Sequence, residues 1–249
     1  MTVKGGKGQT VFANEKVRQM KVIVKCCLAL VLGFAAVGYS KDVGHKKVQL
    51  WKDGPFWAET NIGAEKPWEG GYYFWWGDTI GYKRVNNSWV ASDGSSSSFS
   101  FERKNTSTIG KSESDLRKGG WVTTDGVLDP RHDAAHVYWG GKWRMPTRQE
   151  LKDICDKCDW TWTEMNGVNG YVVRGRGDYR TASIFLPCAG GAAWASLGDA
   201  GWEGYYWSSV PDSGNDTCYY LSFTSRRHDA DSIGNRFYGC LVRPVQGEL

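Results

Sequence analysis

Residues 136–150 read HVYWGGKWRMPTRQE, and they contain the clearest local fold signal in the chain. Thr147 and Glu150 form the T-x-x-E pattern, in which each side chain bonds the backbone N–H of the other residue at a helix start. Pro146 precedes this capping position, and the polar stretch TRQELKDICDKC continues from it. We therefore predict a helix that begins after Thr147 and reaches about Cys158.

A second helix is predicted within residues 128–141 (LDPRHDAAHVYWGG). Asp129 and the proline after it mark the start, and Gly140 begins the glycine pair that marks the end. His132 and His136 are four residues apart, which is a spacing found in metal-binding pairs. No glutamate follows His132 and no third ligand is implied. We therefore expect both histidines to be structural or surface residues, and we predict neither a metal nor a cofactor.

The rest of the chain alternates between short apolar or aromatic runs and turns rich in Gly, Asn, Asp and Ser. This pattern is typical of short strands joined by many turns. The predicted strands are KKVQLW (46–51), PFWAET (55–60), GYYFWW (71–76), GYVVRG (170–175), SIFLP (183–187), GYYWSS (204–209), CYYLSF (218–223) and FYGCLVRPV (237–245). Two helices within a mostly antiparallel β chain predict an α+β domain.

The first 40 residues predict export. Two lysines precede an apolar run over 26–37, which is too short to span a bilayer, and small residues follow it. We predict a signal peptide over 20–40, a misassigned extension over 1–19 and a mature domain over 41–249. The product would be secreted, extracellular or on the cell surface, with the periplasm as the alternative, and would have no membrane span after cleavage.

The positive charge of the sequence is concentrated in this leader. Residues 1–40 hold six of the 31 Lys and Arg but only one of the 27 Asp and Glu, so the formal net charge changes from +4 to −1 over residues 41–249. Nucleic-acid backbones are bound by clustered Lys and Arg. The charge distribution therefore argues against a nucleic-acid partner.

Residues 86–120 form a polar, serine-rich insertion in the predicted domain. Its few apolar side chains cannot build a core of their own. We predict a surface loop that contains at most a hairpin.

The cysteines after residue 41 are odd in number, so at least one thiol lies outside any disulfide within the chain. They are Cys155, Cys158, Cys188, Cys218 and Cys240. The C-x-x-C pair lies inside the predicted helix, and two cysteines are only half of a zinc site, so we expect structural cysteines. The sequence holds no Ser–His–Asp arrangement, paired-carboxylate motif or complete metal set, and we predict no catalytic residue and no enzyme.

Eight blocks follow one another along the chain: NIGA (61–64), GYYFWWGDT (71–79), RHDAAHVYWGGKWRMPT (131–147), TWTEMNGVNGYVV (161–173), SIFLPCAG (183–190), GYYWSS (204–209), CYYLSF (218–223) and VRPV (242–245). In this order they resemble the signature of the Fibrobacter succinogenes major paralogous domain family. That family is plentiful in secreted proteins of Bacteroidetes and Fibrobacteres, and the resemblance covers about residues 48–245.

The resemblance implies a C-type-lectin-like fold, in which two helices pack on twisted antiparallel sheets. This fold is shared with formylglycine-generating enzymes and with the variable proteins of diversity-generating retroelements, and its ligands bind loops and strand faces near the carboxyl terminus. The calcium motifs of sugar-binding C-type lectins are missing from this sequence, so no calcium site is carried over. Cys218 and Cys240 lack the motif around the active cysteines of the enzyme relatives, so no oxidase activity is carried over.

The predicted ligand surface consists of two polar segments, 211–216 and 225–236, next to core strands. Because strand residues pack in the core, we expect the polar residues between them to project from one end of the sheet. The predicted contacts are Asn215, Asp216, Arg226, Arg227, His228, Asp229, Asp231, Asn235 and Arg236. The arginines suit carboxylate or sulfate groups, or stacking on sugar-facing aromatic rings.

These observations predict a secreted or cell-surface module that binds a glycan or a protein. One alternative is a retroelement variable protein, because residues 225–240 (SRRHDADSIGNRFYGC) are rich in the residue types that adenine mutation of asparagine codons creates. A structural subunit of a surface assembly is a further alternative.

The 14 tryptophans are predicted to serve two purposes. Those in the strand and WRMPT blocks should pack in the core, namely Trp51, Trp57, Trp75, Trp143 and Trp207. Those among loop residues are expected at the surface, namely Trp68, Trp89, Trp121, Trp194 and Trp202.

Overall fold

The T-x-x-E pattern forms the expected helix start in a computed structural model that describes residues 44–95 and 98–248. Thr147 Oγ1 accepts a hydrogen bond from the backbone N–H of Glu150 at 3.1 Å, and Glu150 Oε2 accepts one from the backbone N–H of Thr147 at 2.8 Å. The helix runs over Arg148–Lys157 and buries Leu151 and Ile154. The predicted cap and helix are therefore confirmed.

The other predicted helix is divided into two shorter ones. Pro130–His132 form a 3₁₀ turn, and Ala134–Trp139 form an α-helix. The prediction of one continuous helix was wrong, because Asp133 lies between the two helices with extended backbone and caps the second. Its carboxylate accepts hydrogen bonds from the backbone N–H groups of His136 at 3.0 Å and Met145 at 2.8 Å.

The described residues contain three α-helices and fourteen mostly short strands. The helices are α1 (Glu113–Lys118), α2 (Ala134–Trp139) and α3 (Arg148–Lys157). The strands are β1 (Lys47–Gln49), β2 (Phe56–Ala58), β3 (Tyr82–Val85), β4 (Ser88–Ala91), β5 (Trp143–Arg144), β6 (Cys158–Met165), β7 (Val168–Gly175), β8 (Ser183–Pro187), β9 (Gly191–Ala193), β10 (Ser196–Gly198), β11 (Gly204–Pro211), β12 (Thr217–Thr224), β13 (Arg227–Asn235) and β14 (Val245–Gln246). The paired strands are antiparallel, so the chain has the predicted α+β character.

The strands form three larger sheets and two separate hairpins. The sheets have the strand orders β1-β2-β14-β5, β6-β7-β8 and β11-β12-β13, and the hairpins are β3-β4 and β9-β10. Pairing of β14 with β2 brings the two ends of the described chain together, next to the strand that carries Trp143. The sheets therefore depend on contacts between residues far apart in sequence.

Tryptophan side chains fill much of the core. The five tryptophans predicted to pack there, those at 51, 57, 75, 143 and 207, are all buried. Trp207 donates its indole N–H to the carbonyl of Phe74 at 2.8 Å, and Trp76 donates to the carbonyl of Ser208 at 2.9 Å. These bonds satisfy indole groups that have no access to water.

Arg243, in the VRPV block, is a buried cation held by oxygen atoms of neutral groups. Its guanidinium donates to Asn61 Oδ1 at 2.7 Å and to the carbonyl oxygens of Ala58, Glu59 and Phe185 at 3.0, 2.8 and 2.8 Å. Burial lowers its pKa to about 10. Arg243 thus connects the end of β2 to β8 through hydrogen bonds in the protein interior.

The polar insertion over 86–120 is more than a surface loop. Trp89, Phe101 and Leu116 from this segment are buried in the core, and helix α1, which was not predicted, begins after Ser112. The surface-loop prediction was wrong because a few apolar residues, widely spaced in polar sequence, pack against a core that the rest of the chain supplies.

The predicted extension over 1–19 and the predicted signal peptide over 20–40 lie outside the described residues. The domain start at 41 stays a prediction. No helix in the described part of the chain is long and apolar enough to cross a membrane.

Candidate functional site

The segment 225–236, predicted as a loop, consists mainly of strand β13. It pairs with β12 in a register that runs from Thr224 opposite Arg227 to Thr217 opposite Asn235. The seven residues between these pairs span about 23 Å of extended chain. The expectation that the nine predicted contacts project from one end of the sheet was therefore wrong, because they are distributed along the whole strand and at both of its ends.

At one end of β13, the predicted contact Arg236 is fully buried. Its guanidinium donates at 2.9–3.1 Å to the backbone carbonyl oxygens of Thr108, Lys111, Gly214, Asn215 and Thr217. Arg236 was wrongly predicted as a ligand contact, because its donors hold neighbouring loops together. Nearby, Asp216 pairs with Arg103 at 2.6 Å, whereas Asn215 is exposed and Asn235 is half-buried.

At the other end of β13, Arg226 and Arg227 are exposed beside the β12–β13 turn. His228 is stacked on Trp160, with ring centroids 4.3 Å apart, and burial lowers the pKa of its imidazole. His228 therefore has a packing role, and only the two arginines extend freely into solvent at this end.

Two predicted contacts, Asp229 and Asp231, lie in the middle of β13, and both have partners within the domain. Asp231 forms ion pairs with Arg148 at 2.6 Å and Lys152 at 2.9 Å on helix α3. Asp229 is exposed and accepts the backbone N–H of Asp231 at 2.8 Å. The charge of Asp231 is thus neutralised by the adjacent helix.

A groove of about 790 Å³ opens where five segments distant in sequence meet, and we refer to this cavity as the groove. The segments are the loop 65–71, strand β3, the β6–β7 turn, the residues that follow β8, and the region from β10 to residue 201. The groove is lined by Glu65, Trp68, Glu69, Gly70, Gly71, Tyr73, Lys83, Arg84, Gly167, Val168, Asn169, Cys188, Ala189, Leu197, Ala200 and Gly201.

Two glycines that line the groove, Gly167 and Gly201, lie in tight turns. Asn166 and Gly167 both have positive φ, 51° and 80°, as a two-residue type I′ hairpin turn requires. Gly201 has φ of 83°, and a Cβ atom added at Gly167 or Gly201 would have no other atom within 4 Å. Neither glycine therefore places a side chain in the groove.

Three tryptophans lie outside the core, and one of them, Trp68, lines the groove. Trp68 is half-buried, while Trp202, which follows the lining residue Gly201, is 78% exposed. Trp194, in the β9–β10 turn, is 65% exposed. An indole carries about 150–250 Å² of mostly apolar surface, so leaving two of them in water opposes their ordinary tendency to be buried.

The surface prediction for the loop tryptophans is confirmed for Trp194 and Trp202 and wrong for Trp89. Trp89 is buried and donates its indole N–H to the carbonyl of Ala195 at 3.0 Å. Trp121 is half-buried, with its ring stacked on that of a histidine.

Two residues that line the groove, Asn169 and Trp68, also carry polar atoms. Asn169 donates its side-chain N–H to the carbonyl of Gly201 at 3.1 Å, which leaves its Oδ1 atom without a partner among residues 44–95 and 98–248. The indole N–H of Trp68 likewise has no hydrogen-bond partner in that part of the chain. The groove therefore presents a donor, an acceptor and aromatic faces to a ligand.

Two other cavities are less suited to a ligand. The one of about 560 Å³ beside α3 is lined by Arg148 and Lys152, which Asp231 neutralises. The other, of about 430 Å³, contains Asp133, whose carboxylate caps α2. Burial raises the pKa of Asp133 to about 6. Arg148, Lys152 and Asp133 therefore already have structural functions.

The histidines and cysteines form no reactive arrangement in the described residues. His132 stacks on Trp121 at 3.8 Å, and His136 Nδ1 lies 3.3 Å from the carbonyl oxygen of Trp143. Burial raises the pKa of the thiols of Cys155 and Cys158 to about 12, and the five described cysteines are not joined by disulfides. No described group of three or more His, Cys, Asp or Glu is placed to hold a metal.

Comparison with known protein families, with curated proteins and with solved structures gives no match for this chain.

Most of the groove was not predicted from the sequence. Lys83, Arg84 and Asn169 are single polar residues in strands and turns, and only the fold brings them together. The one usable signal was the placement of Trp68 and Trp202 among polar and glycine residues, which predicted a surface position but did not predict that Trp68 lines a cavity.

Proposed function

We propose that this chain is a non-catalytic binding module of the cell exterior, and that it holds a glycan in the groove. The observation that carries the proposal is a groove lined by the half-buried Trp68, whose lining residue Gly201 is directly followed by the exposed Trp202. A sugar ring has an apolar C–H face and a polar hydroxyl edge. It can therefore cover an indole face while its hydroxyls bond to groups such as Asn169 Oδ1.

The energetic gain from such stacking is substantial. If a sugar removes about 80 Å² of apolar surface from water at Trp202, the gain is about 2 kcal/mol, or about thirtyfold in affinity. This favours a glycan over a protein ligand, because a stable protein interface needs about 800 Å² from each partner around an apolar centre. The groove has isolated rings between polar groups instead.

The proposal includes a C-type-lectin-like fold and export. The order of the eight sequence blocks supports the fold, as does the packing of α3 against the antiparallel strand β13 through Asp231. The leader pattern of residues 20–40 in the sequence supports a secreted or cell-surface location. The buried, protonated thiols support a binding function over thiol chemistry.

The retroelement alternative receives less support. Its diversified residues would lie on the strand 227–235 and beyond, where Arg236 has a buried structural function and Asp231 is paired with α3. Substitution of Arg236 or Asp231 would remove these structural contacts.

The proposal can be tested by binding to an array of bacterial, plant and animal polysaccharides. We expect wild type to bind at least one of them, and Trp202→Ala to bind it about ten to thirty times more weakly. Phe56→Ala is the matched control, because Phe56 is also a partly exposed aromatic residue but lies outside the groove. An affinity unchanged by Trp202→Ala, or no binding to any glycan, would refute the proposal.

A further inference from the structure

Two cations line the groove, and neither is neutralised within the described residues. Lys83 and Arg84 on β3 both contribute to its wall. Neither takes part in any of the described ion pairs, whereas Arg103, Arg144 and Arg176 elsewhere on the domain each have a carboxylate partner. The groove therefore contains positive charge that is available to a ligand.

The guanidinium of Arg84 is positioned by neutral groups. Its Nη1 atom donates to the carbonyl of Ala195 at 2.7 Å, and its Cζ atom lies 5.3 Å from the ring centroid of Trp89. These contacts fix the planar group while its Nε and Nη2 donors stay without partners in the described part of the chain. A guanidinium held in this way can donate two parallel hydrogen bonds to a carboxylate or a sulfate.

Lys83 is held in a similar manner. Its Nζ atom lies 4.7 Å from the ring centroid of Tyr72, on the aromatic face. A cation–π contact attracts an ammonium group but leaves its full charge in place, unlike an ion pair. Both cations are thus oriented by aromatic rings that do not cancel their charge.

The two acidic residues that line the groove, Glu65 and Glu69, form no ion pair with Lys83 or Arg84. Glu69 Oε2 accepts the backbone N–H groups of Glu65 at 2.7 Å and Lys66 at 3.3 Å, so this carboxylate stabilises the turn at 65–69. The Glu65 side chain is exposed. No carboxylate of either residue lies within ion-pair distance of Lys83 or Arg84.

We propose that the ligand of the groove is an acidic glycan, a polysaccharide with several uronate or sulfate groups, whose acidic groups bind Arg84 and Lys83 separately while its sugar rings stack on Trp202 and Trp68. This inference rests on the proposed glycan-binding function and specifies its substrate class. Charge-assisted hydrogen bonds to an anion strengthen binding by about ten- to a hundredfold over the uncharged equivalent.

The test compares pairs of polysaccharides that differ only in charge. Suitable probes are polygalacturonate and alginate with their carboxyl-reduced forms, and chondroitin sulfate with desulfated chondroitin. We expect wild type to bind at least one acidic probe ten or more times more tightly than its neutral counterpart, and this preference to fall as salt is raised from 50 to 500 mM, because ions screen exposed charges.

Substitutions of Lys83 and Arg84 test whether these two cations cause the preference for acidic over neutral probes. Lys83→Gln and Arg84→Gln should each reduce it several-fold, and the double variant should abolish it while binding to the neutral probe persists. Arg84→Lys keeps the charge without the planar fork and should retain an intermediate preference, which guards against an effect of Arg84→Gln on the β9–β10 hairpin. Lys118→Gln, at an exposed lysine of α1 outside the groove, is the matched control.

The outcomes separate this inference from the function it rests on. Equal, Trp202-dependent binding of acidic and neutral probes, or a preference that survives the double variant, would overturn the acidic-glycan assignment and leave the glycan-binding function standing. Absence of binding to these probes and to every polysaccharide of the array would overturn both.

Discussion

Replacing the buried cation Arg243 by methionine should destabilise the domain strongly. The variant Arg243→Met keeps a long side chain, now apolar, but removes the guanidinium donors that bond to Asn61 Oδ1 and to the carbonyls of Ala58, Glu59 and Phe185. Leaving a buried acceptor without its partner costs about 1 kcal/mol or more, and the relief of burying a charge offsets part of the total. We expect a net loss of about 3–5 kcal/mol.

A loss of this size is a large part of the total stability, which is about 5–15 kcal/mol for most domains. Urea unfolding followed by tryptophan fluorescence should give a lower midpoint with an unchanged m value. Arg180→Met is the control, because Arg180 is exposed and makes only a 3.4 Å bond to a local carbonyl, and it should change stability by less than about 0.5 kcal/mol. An Arg243→Met protein within about 1 kcal/mol of wild type would refute the packing argument.

Three further predictions concern single residues. Thr147→Ala should cost about 0.5–2 kcal/mol through the lost helix cap, and an unchanged thermal melt would contradict this. Arg236→Ala should destabilise the domain by about 3–5 kcal/mol. A variant of unchanged stability that no longer binds glycan would instead support Arg236 as a ligand contact, as the sequence predicted. The pKa of Asp133 is raised from 3.8 to about 6 in the folded state, so protonation of this carboxyl favours folding. That stabilisation is complete below about pH 4 and is lost as the pH rises through about 6. Asp133→Asn should flatten the pH dependence of unfolding in that window, and an unaltered profile would refute the assignment.

Local signals in the sequence were sufficient for parts of the fold. The cap at Thr147 depends only on residues three positions apart, and the aromatic strand blocks contain their own burial pattern. The α+β character and the buried tryptophans followed from these. The division at Asp133 did not follow, because that cap is completed by a bond to Met145, beyond the helix it starts.

The candidate site could not be predicted because its parts come from five distant segments. Strand β13 was mistaken for a loop because its inward positions hold small residues, Ala230 and Gly234, instead of large apolar ones. Arg236 was mistaken for a ligand contact because its partners are backbone carbonyls, which no sequence pattern displays. Polar character alone did not distinguish a binding surface from a structural bond.

The most direct test of the groove as the ligand site is hydrogen–deuterium exchange of the full chain with and without a saturating polysaccharide identified by the array. We predict slower exchange in peptides that cover 65–71, 83–84, 167–169 and 197–202, and no change in those that cover 211–216 and 225–236. Protection confined to 211–216 and 225–236, with the groove segments unchanged, would contradict the account and return the site to the carboxyl-terminal strands.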